Sequence, residues 1–192
     1  MSAHLSVARR READKIDVEN TKWERYVNMA ILDVLVFPNP ALREPTVEVT
    51  EFDDNLRRLV SDMWETMYLS KGVGLAAPQV GRPLRLFISE WEGIKRVIIN
   101  PEILEAEGGE EGNEGCLSFP GIYEEIRRPS RVRIRYQDES GKQHEEIAEG
   151  YLARVYSHEA DHLKGKLLID HLSVLKRTFL RKKMSRKARS KE

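Results

Sequence analysis

Apolar residues recur at helical spacing early in the chain: Phe52, Leu56, Leu59, Val60, Met63, Trp64 and Met67 fall on one face of a 3.6-residue repeat. Thr50 with Asp53 reads as a capping box opening this helix, and Gly72 as its end. Upstream, residues 31–37 form a short apolar stretch that Pro38, Pro40 and Pro45 turn into a loop. Beyond Gly72 the period shortens. Residues 84–89 and 96–100 read as strands. In residues 131–136, Val132, Ile134 and Tyr136 alternate with Arg131, Arg133 and Arg135, as in a strand with one buried face. Residues 138–141 turn it into an antiparallel partner over residues 143–148. A second helix is expected from about residue 152 to residue 163, stopping at Gly165, and Ser173 caps a third, basic one. The order predicts an α+β fold of mixed, mostly antiparallel sheets around a central helix, with further helices towards both ends.

Composition changes this picture in a few places. The 192 residues suit one domain. No apolar run approaches the ~18 residues of a membrane span, so no membrane partner is expected. The single Cys, Cys116, excludes an intrachain disulfide and a four-cysteine zinc site, and points to a reducing, cytoplasmic setting. The zero net charge hides an asymmetry: residues 176–192 hold nine basic groups against Glu192 alone, a net +8 balanced by −8 elsewhere. Such a tail suits a polyanion. Val174, Leu175, Phe179 and Leu180 are available to anchor its start on the body. Residues 1–28 lack Gly, Pro and a core-forming pattern, and their acids (Glu12, Asp14, Asp17, Glu19, Glu24) argue against a mitochondrial transit peptide. The chain therefore divides into an extension over residues 1–28, with a helical turn around Trp23 and Tyr26, a body over residues 29–175, and a basic tail over residues 176–192.

The strongest chemical signal is His158-Glu159-Ala160-Asp161-His162. Two His four residues apart share a helix face and can reach one metal, and the Glu between them can hold a water. A catalytic metal needs a third protein ligand and an open position. Position 168, where one metalloprotease pattern places a His, is Leu168. The only Glu after Glu159 is Glu192, and Asp170 lies only eight residues past His162. The third ligand is therefore expected upstream, with Cys116 and His144 as candidates. A thiolate suits zinc or iron(II), whereas His144 sits in a polar turn-to-strand segment. A third signal runs from Gly72 to Gly81 and includes Gln79; small residues let a backbone approach a ligand, and Gln79 offers an amide donor.

Together, Gly72-Val73-Gly74-Leu75-Ala76-Ala77-Pro78-Gln79, Glu114-Gly115-Cys116-Leu117-Ser118 and His158-Glu159-Ala160-Asp161-His162 resemble, in order and spacing, the three signature motifs of the peptide deformylases. The resemblance runs from about Met29 to about Leu175. It implies that Cys116, His158 and His162 bind one divalent metal, natively iron(II), with zinc, nickel or cobalt able to substitute, and that the second helix is the central metal-binding one. Glu159 is then the general base, and Gln79 and the backbone N–H of Leu117 donate to the formyl oxygen. Gly72 and Gly74 offer an edge to the extended peptide, while Val73, Leu152 and Val155 line the methionine pocket and Glu114 orients or braces. The implied reaction is hydrolysis of the N-formyl group from the initiator methionine of nascent polypeptides, with docking at the ribosome through the basic tail. Three positions depart from the pattern: Ser157 replaces a usual Gln, Ala160 a bulkier apolar residue, and Arg154 stands beside the substrate pocket.

Overall fold

The computed structural model describes residues 30–189; the extension over residues 1–28, with its expected helical turn, lies outside the described residues. The first helix, α1, spans Asp54–Leu69. Its cap is Asp53 alone, whose carboxylate accepts the Leu56 N–H at 2.9 Å, so Thr50 has no part in it. A carboxylate at this position also complements the helix dipole. The helix ends at Leu69, and the Gly72 N–H folds back onto Met67 O at 2.9 Å.

Five strands form one antiparallel sheet: β1 (Gly74–Ala76), β2 (Leu86–Trp91), β3 (Ile94–Glu107), β6 (Arg131–Gln137) and β7 (Gln143–Glu149), in the order β1-β2-β3-β6-β7. A separate hairpin pairs β4 (Glu110–Gly115) with β5 (Tyr123–Arg128). The second helix, α2, spans Gly150–Leu163, and α3 spans Val174–Arg189. Leu75, Leu86, Ile88 and Ile99 pack under α1 with Val60, Met63 and Met67. Their neighbours Ala76, Phe87 and Ile98 pack with Val155 and Tyr156 of α2. This part of the sheet is therefore buried on both faces, which is why β2 opens on three apolar residues in a row, Leu86-Phe87-Ile88, instead of alternating. On β6, Val132, Ile134 and Tyr136 join the α2 side. Arg131, Arg133 and Arg135 face outward and pair with Glu102, Glu105, Glu107, Glu145 and Glu149. Exposed pairs of this kind each contribute little.

Pro101 does not end β3, as the residue pattern suggested. The ladder shifts register between Ile99 and Glu102, Asn100 adopts φ 51°, and its side chain bonds Val49 and Gln137. A bulge thus absorbs the missing Pro N–H. The tail also differs from expectation. Only Leu180 of the four expected anchors is buried, joined by Met184, against Phe119, Ile122 and Leu168. Val174, Leu175 and Phe179 are 79%, 82% and 66% exposed, because the helix turns its 180/184 stripe inward. The basic helix is therefore part of the body.

Asp170 ties the segment after α2 to the short helical turn Pro40–Arg43. It takes both arms of Arg43 at 2.8 and 3.1 Å and accepts the Leu167 N–H at 2.9 Å. Burial alone would raise this carboxyl, but Arg43 and the Leu167 amide outweigh it and hold it below the usual range. A depressed folded value adds stability above the unfolded value, and that stability is lost as pH falls through the folded one. Asp170→Asn is expected to cost about 1 kcal/mol at pH 7, with the difference from wild type shrinking in thermal melts at a pH below the ordinary carboxylate range. An equal difference at both pH values would refute the linkage.

Candidate metal centre

Cys116 follows the last residue of β4 in a turn closed by the Phe119 N–H on Cys116 O at 2.8 Å. That turn points Sγ at α2, where His158 and His162 stand one turn apart on the same face. Cys116 Sγ lies 3.3 Å from His162 Nε2, and one donor atom from each of the three residues falls within 4.8 Å of the others. His144 is elsewhere, paired with Asp138 at 2.6 Å and stacked on Tyr136, and Asp170 is engaged by Arg43. Of the three candidates, Cys116 is the one that stands beside the two imidazoles.

The electrostatics fit a cation here. Burial opposes charge on His158, yet Cys116 and Glu114 outweigh it and push its pKa well above the ordinary value. Burial, with the His158 charge beside it, pushes His162 the other way, leaving it neutral with a lone pair to give. A soft sulfur and two imidazoles around one buried point suit zinc or iron(II). His158 Nδ1 lies 3.0 Å from Glu114 Oε2, which leaves Nε2 for the metal side. Glu114 is itself clamped by Arg128 at 2.8 and 3.1 Å and by Arg154 at 2.9 Å. Burial alone would raise Glu114, but His158 and Arg128 bring its pKa down to about 2. Arg128 continues to Asp161, which also meets His171 Nε2 at 2.7 Å.

Glu159 is buried, and its Oε2 has no hydrogen-bond partner among the described residues. Burial raises its carboxyl to about 7, against the opposing pull of His158. Gly74 makes room for it: a Cβ there would stand 2.5 Å from Glu159 Oε1. Gln79, equally buried, accepts the Ala76 N–H on Oε1 at 2.8 Å. That bond turns its amide nitrogen towards Ser118 Oγ at 3.2 Å and Cys116 Sγ at 3.6 Å.

These groups open into a cavity of about 470 Å³ whose walls include Gly72, Val73, Gly74, Gln79, Glu114, Cys116, Leu117, Val155, His158 and Glu159. β1, an edge strand of the large sheet, runs along it. Leu152 is not in this wall. It packs with Val73 against the Phe87–Tyr156 side of the sheet, because its neighbour Tyr151 takes the cavity-facing position on α2. The residue pattern also gave no notice of Phe119, Ile122 and Tyr123 in the wall, which follow Cys116 on the turn into β5.

A donor set of this kind beside a buried carboxylate is the arrangement of a metal-dependent hydrolase. The family model described as polypeptide deformylase matches residues 31–178. A peptide deformylase of Alkalilimnicola ehrlichii is 50% identical over 165 residues, covering 84% of this chain and 93% of the relative. The crystal structure of a peptide deformylase from Legionella pneumophila superposes with a TM-score of 0.80 at 43% identity, covering 84% of this chain and 98% of that one. A peptide deformylase from Synechococcus elongatus, in complex with actinonin, gives 0.75 at 40% identity over 80% and 86%. The chain belongs to the polypeptide deformylase family, whose metal-dependent activity removes the N-formyl group from the initiator methionine of new proteins and releases formate.

Proposed function

We propose that Cys116, His158 and His162 hold the metal of this deformylase, natively iron(II), with zinc, nickel or cobalt able to replace it. The carrying observation is the convergence of one sulfur and two imidazole nitrogens within 4.8 Å. Bound there, a divalent ion would supply Lewis-acid chemistry, bringing the pKa of a water down to about 7. The remaining work falls to side chains and backbone. Glu159, with a free buried oxygen and a carboxyl raised to about 7, takes a proton and returns it to the departing amine. The Gln79 amide, fixed by Ala76, and the Leu117 N–H donate to the formyl oxygen as it gains charge; one such donor is worth about 2.7–4 kcal/mol. Gly72 and Gly74 present the open edge of β1 to the extended peptide, and Val73 and Val155 offer apolar wall to the methionine side chain. A thiol ligand that must stay reduced suits a bacterial-type cytoplasm.

The test compares formate release from a formyl-Met peptide with cleavage of the same peptide bearing a free amine, using anaerobically prepared, iron-loaded protein. Formate release alone is expected. Internal cleavage would make it a peptidase. Removing the metal should abolish turnover and leave the far-ultraviolet circular dichroism unchanged.

The ribosome is the second element of the proposal. On α3, Lys176 pairs with Glu124 and Arg177 donates to Asp170 O and Leu172 O, whereas Arg181, Lys182, Lys183 and Arg186 are exposed. They stand beside exposed Val174, Leu175 and Phe179, on a body that is acidic overall. Ribosomal RNA would repel that body and attract this face. Cutting the helix off would also remove Leu180 and Met184 from the core, so charge removal is the cleaner probe. Replacing the four exposed basic residues by Ala is expected to weaken ribosome binding at least tenfold at low salt and to flatten its salt dependence. Turnover of a short formyl-Met peptide should be unchanged. Equal binding by both proteins would remove the docking role.

A further inference from the structure

β4 is an unusual strand to carry part of a catalytic centre. Its sequence, Glu110-Glu111-Gly112-Asn113-Glu114-Gly115, has no apolar residue, and its one buried side chain is Glu114. Strand propensity and burial therefore contribute almost nothing to holding it. Its ladder partner β5 has two buried side chains, Ile126 and Arg128. Yet β4 delivers Glu114 to His158 and leads directly into Cys116. Something else must fix this hairpin against α2.

Arg154 does so with one guanidinium, beside the Arg128–Asp161 link from β5. Nη1 donates to Ile126 O at 2.8 Å, to Gly112 O at 3.3 Å and to Glu114 Oε1 at 2.9 Å, and Nη2 donates to Glu110 O at 2.8 Å. Gly112 and Ile126 are opposite each other in the ladder, so the side chain sits over one rung and bonds both strands. Three of its acceptors are backbone carbonyls, which an Arg fork reaches and a Lys ammonium on a flexible stem does not reach together. The position is matched from the other side. A Cβ on Gly112 would lie 2.8 Å from Arg154 Nη2 and 2.9 Å from Cζ, so the glycine is what lets the guanidinium lie across the strand. Arg154 comes from the α2 turn immediately before His158.

We propose that Arg154 is a positioning residue, paired with Gly112, that locks the hairpin carrying Cys116 and Glu114 onto the helix carrying His158 and His162, and so sets how firmly the metal is held. This rests on the three-ligand reading of the centre. Groups that orient metal ligands typically change affinity by about 10–100-fold when removed.

Cobalt(II)-loaded protein provides a readout independent of turnover, the thiolate-to-cobalt absorption band, whose decay under excess chelator reports metal loss. Arg154→Met, which keeps the apolar stem, is expected to lose the band about tenfold faster than wild type. Gly112→Ala should do the same by displacing the fork, and adding Gly112→Ala to Arg154→Met should cost little more, because the collision is gone. Arg154→Lys should not restore wild-type retention. Unchanged band decay in both single variants, or additive effects in the double variant, would overturn the proposal, as would full rescue by Lys. If Arg154→Met proves too unstable to purify, the Gly112→Ala decay rate decides alone. Failure of the three-ligand reading would look different: wild type itself would show no thiolate-to-cobalt band.

Discussion

Glu159→Ala protein is expected to keep its metal and lose turnover by about 10²–10⁴-fold, the usual contribution of a positioned proton carrier. The carboxylate lies beside the two imidazoles without belonging to the proposed donor set, so metal content should match wild type. Its burial is only partly compensated: Oε2 has no partner among the described residues and the carboxyl is pushed up to about 7. A buried, unsatisfied polar group costs stability. Glu159→Gln is therefore expected to melt no lower than wild type while being equally slow, which separates a sacrificed stability from a structural role. Gly74→Ala gives the same answer from the opposite wall, since its Cβ would displace Oε1 from 2.5 Å and should slow turnover with metal retained. Metal content and formate release are the two measurements. An Ala variant with near-normal turnover would show that no protein base is needed, and the proposed role of Glu159 would be withdrawn.

What could be read from residues alone follows from which forces were local. The α1 stripe, the alternation in β6 and the His158/His162 spacing are written in periods of 3.6, 2 and 4, and each survives in the fold. β4 was invisible because its order comes from Arg154, Arg128 and the β5 ladder, all distant in sequence from residues 110–115. The bulge at Asn100 was invisible for the same reason: its bonds go to Val49 and Gln137. The resemblance implied a pocket role for Leu152 as for Val155, but one helical step of rotation separates a pocket wall from a sheet contact. The tail was legible as charge and not as packing, since Leu180 and Met184 are only two apolar positions among many cations. The preference for Cys116 over His144 was legible in the residues and in the three motifs, and the fold adds a physical reason for it. Asp138, at the turn before β7, engages His144 locally, while β4 carries Cys116 across the molecule.

Removing that sulfur should be the most severe single change in the centre. Cys116→Ala deletes one of three donors and leaves two imidazoles, too few to hold a divalent ion against a chelator. The protein is expected to be isolated metal-free and inactive. Its fold should persist, because Cys116 is only partly buried at the margin of the Phe119–Leu168 cluster, and losing a small side chain there costs about 1 kcal/mol. The Glu114–His158 and Arg128–Asp161 links do not pass through the sulfur and should remain. His144→Ala is the matched control: its bond to Asp138 is remote from the donor set, so metal content and turnover should stay at wild-type levels. Metal analysis with thermal melting decides the matter. A fully metallated, folded Cys116→Ala protein would mean that another group completes the site, and a metal-free His144→Ala protein would name it.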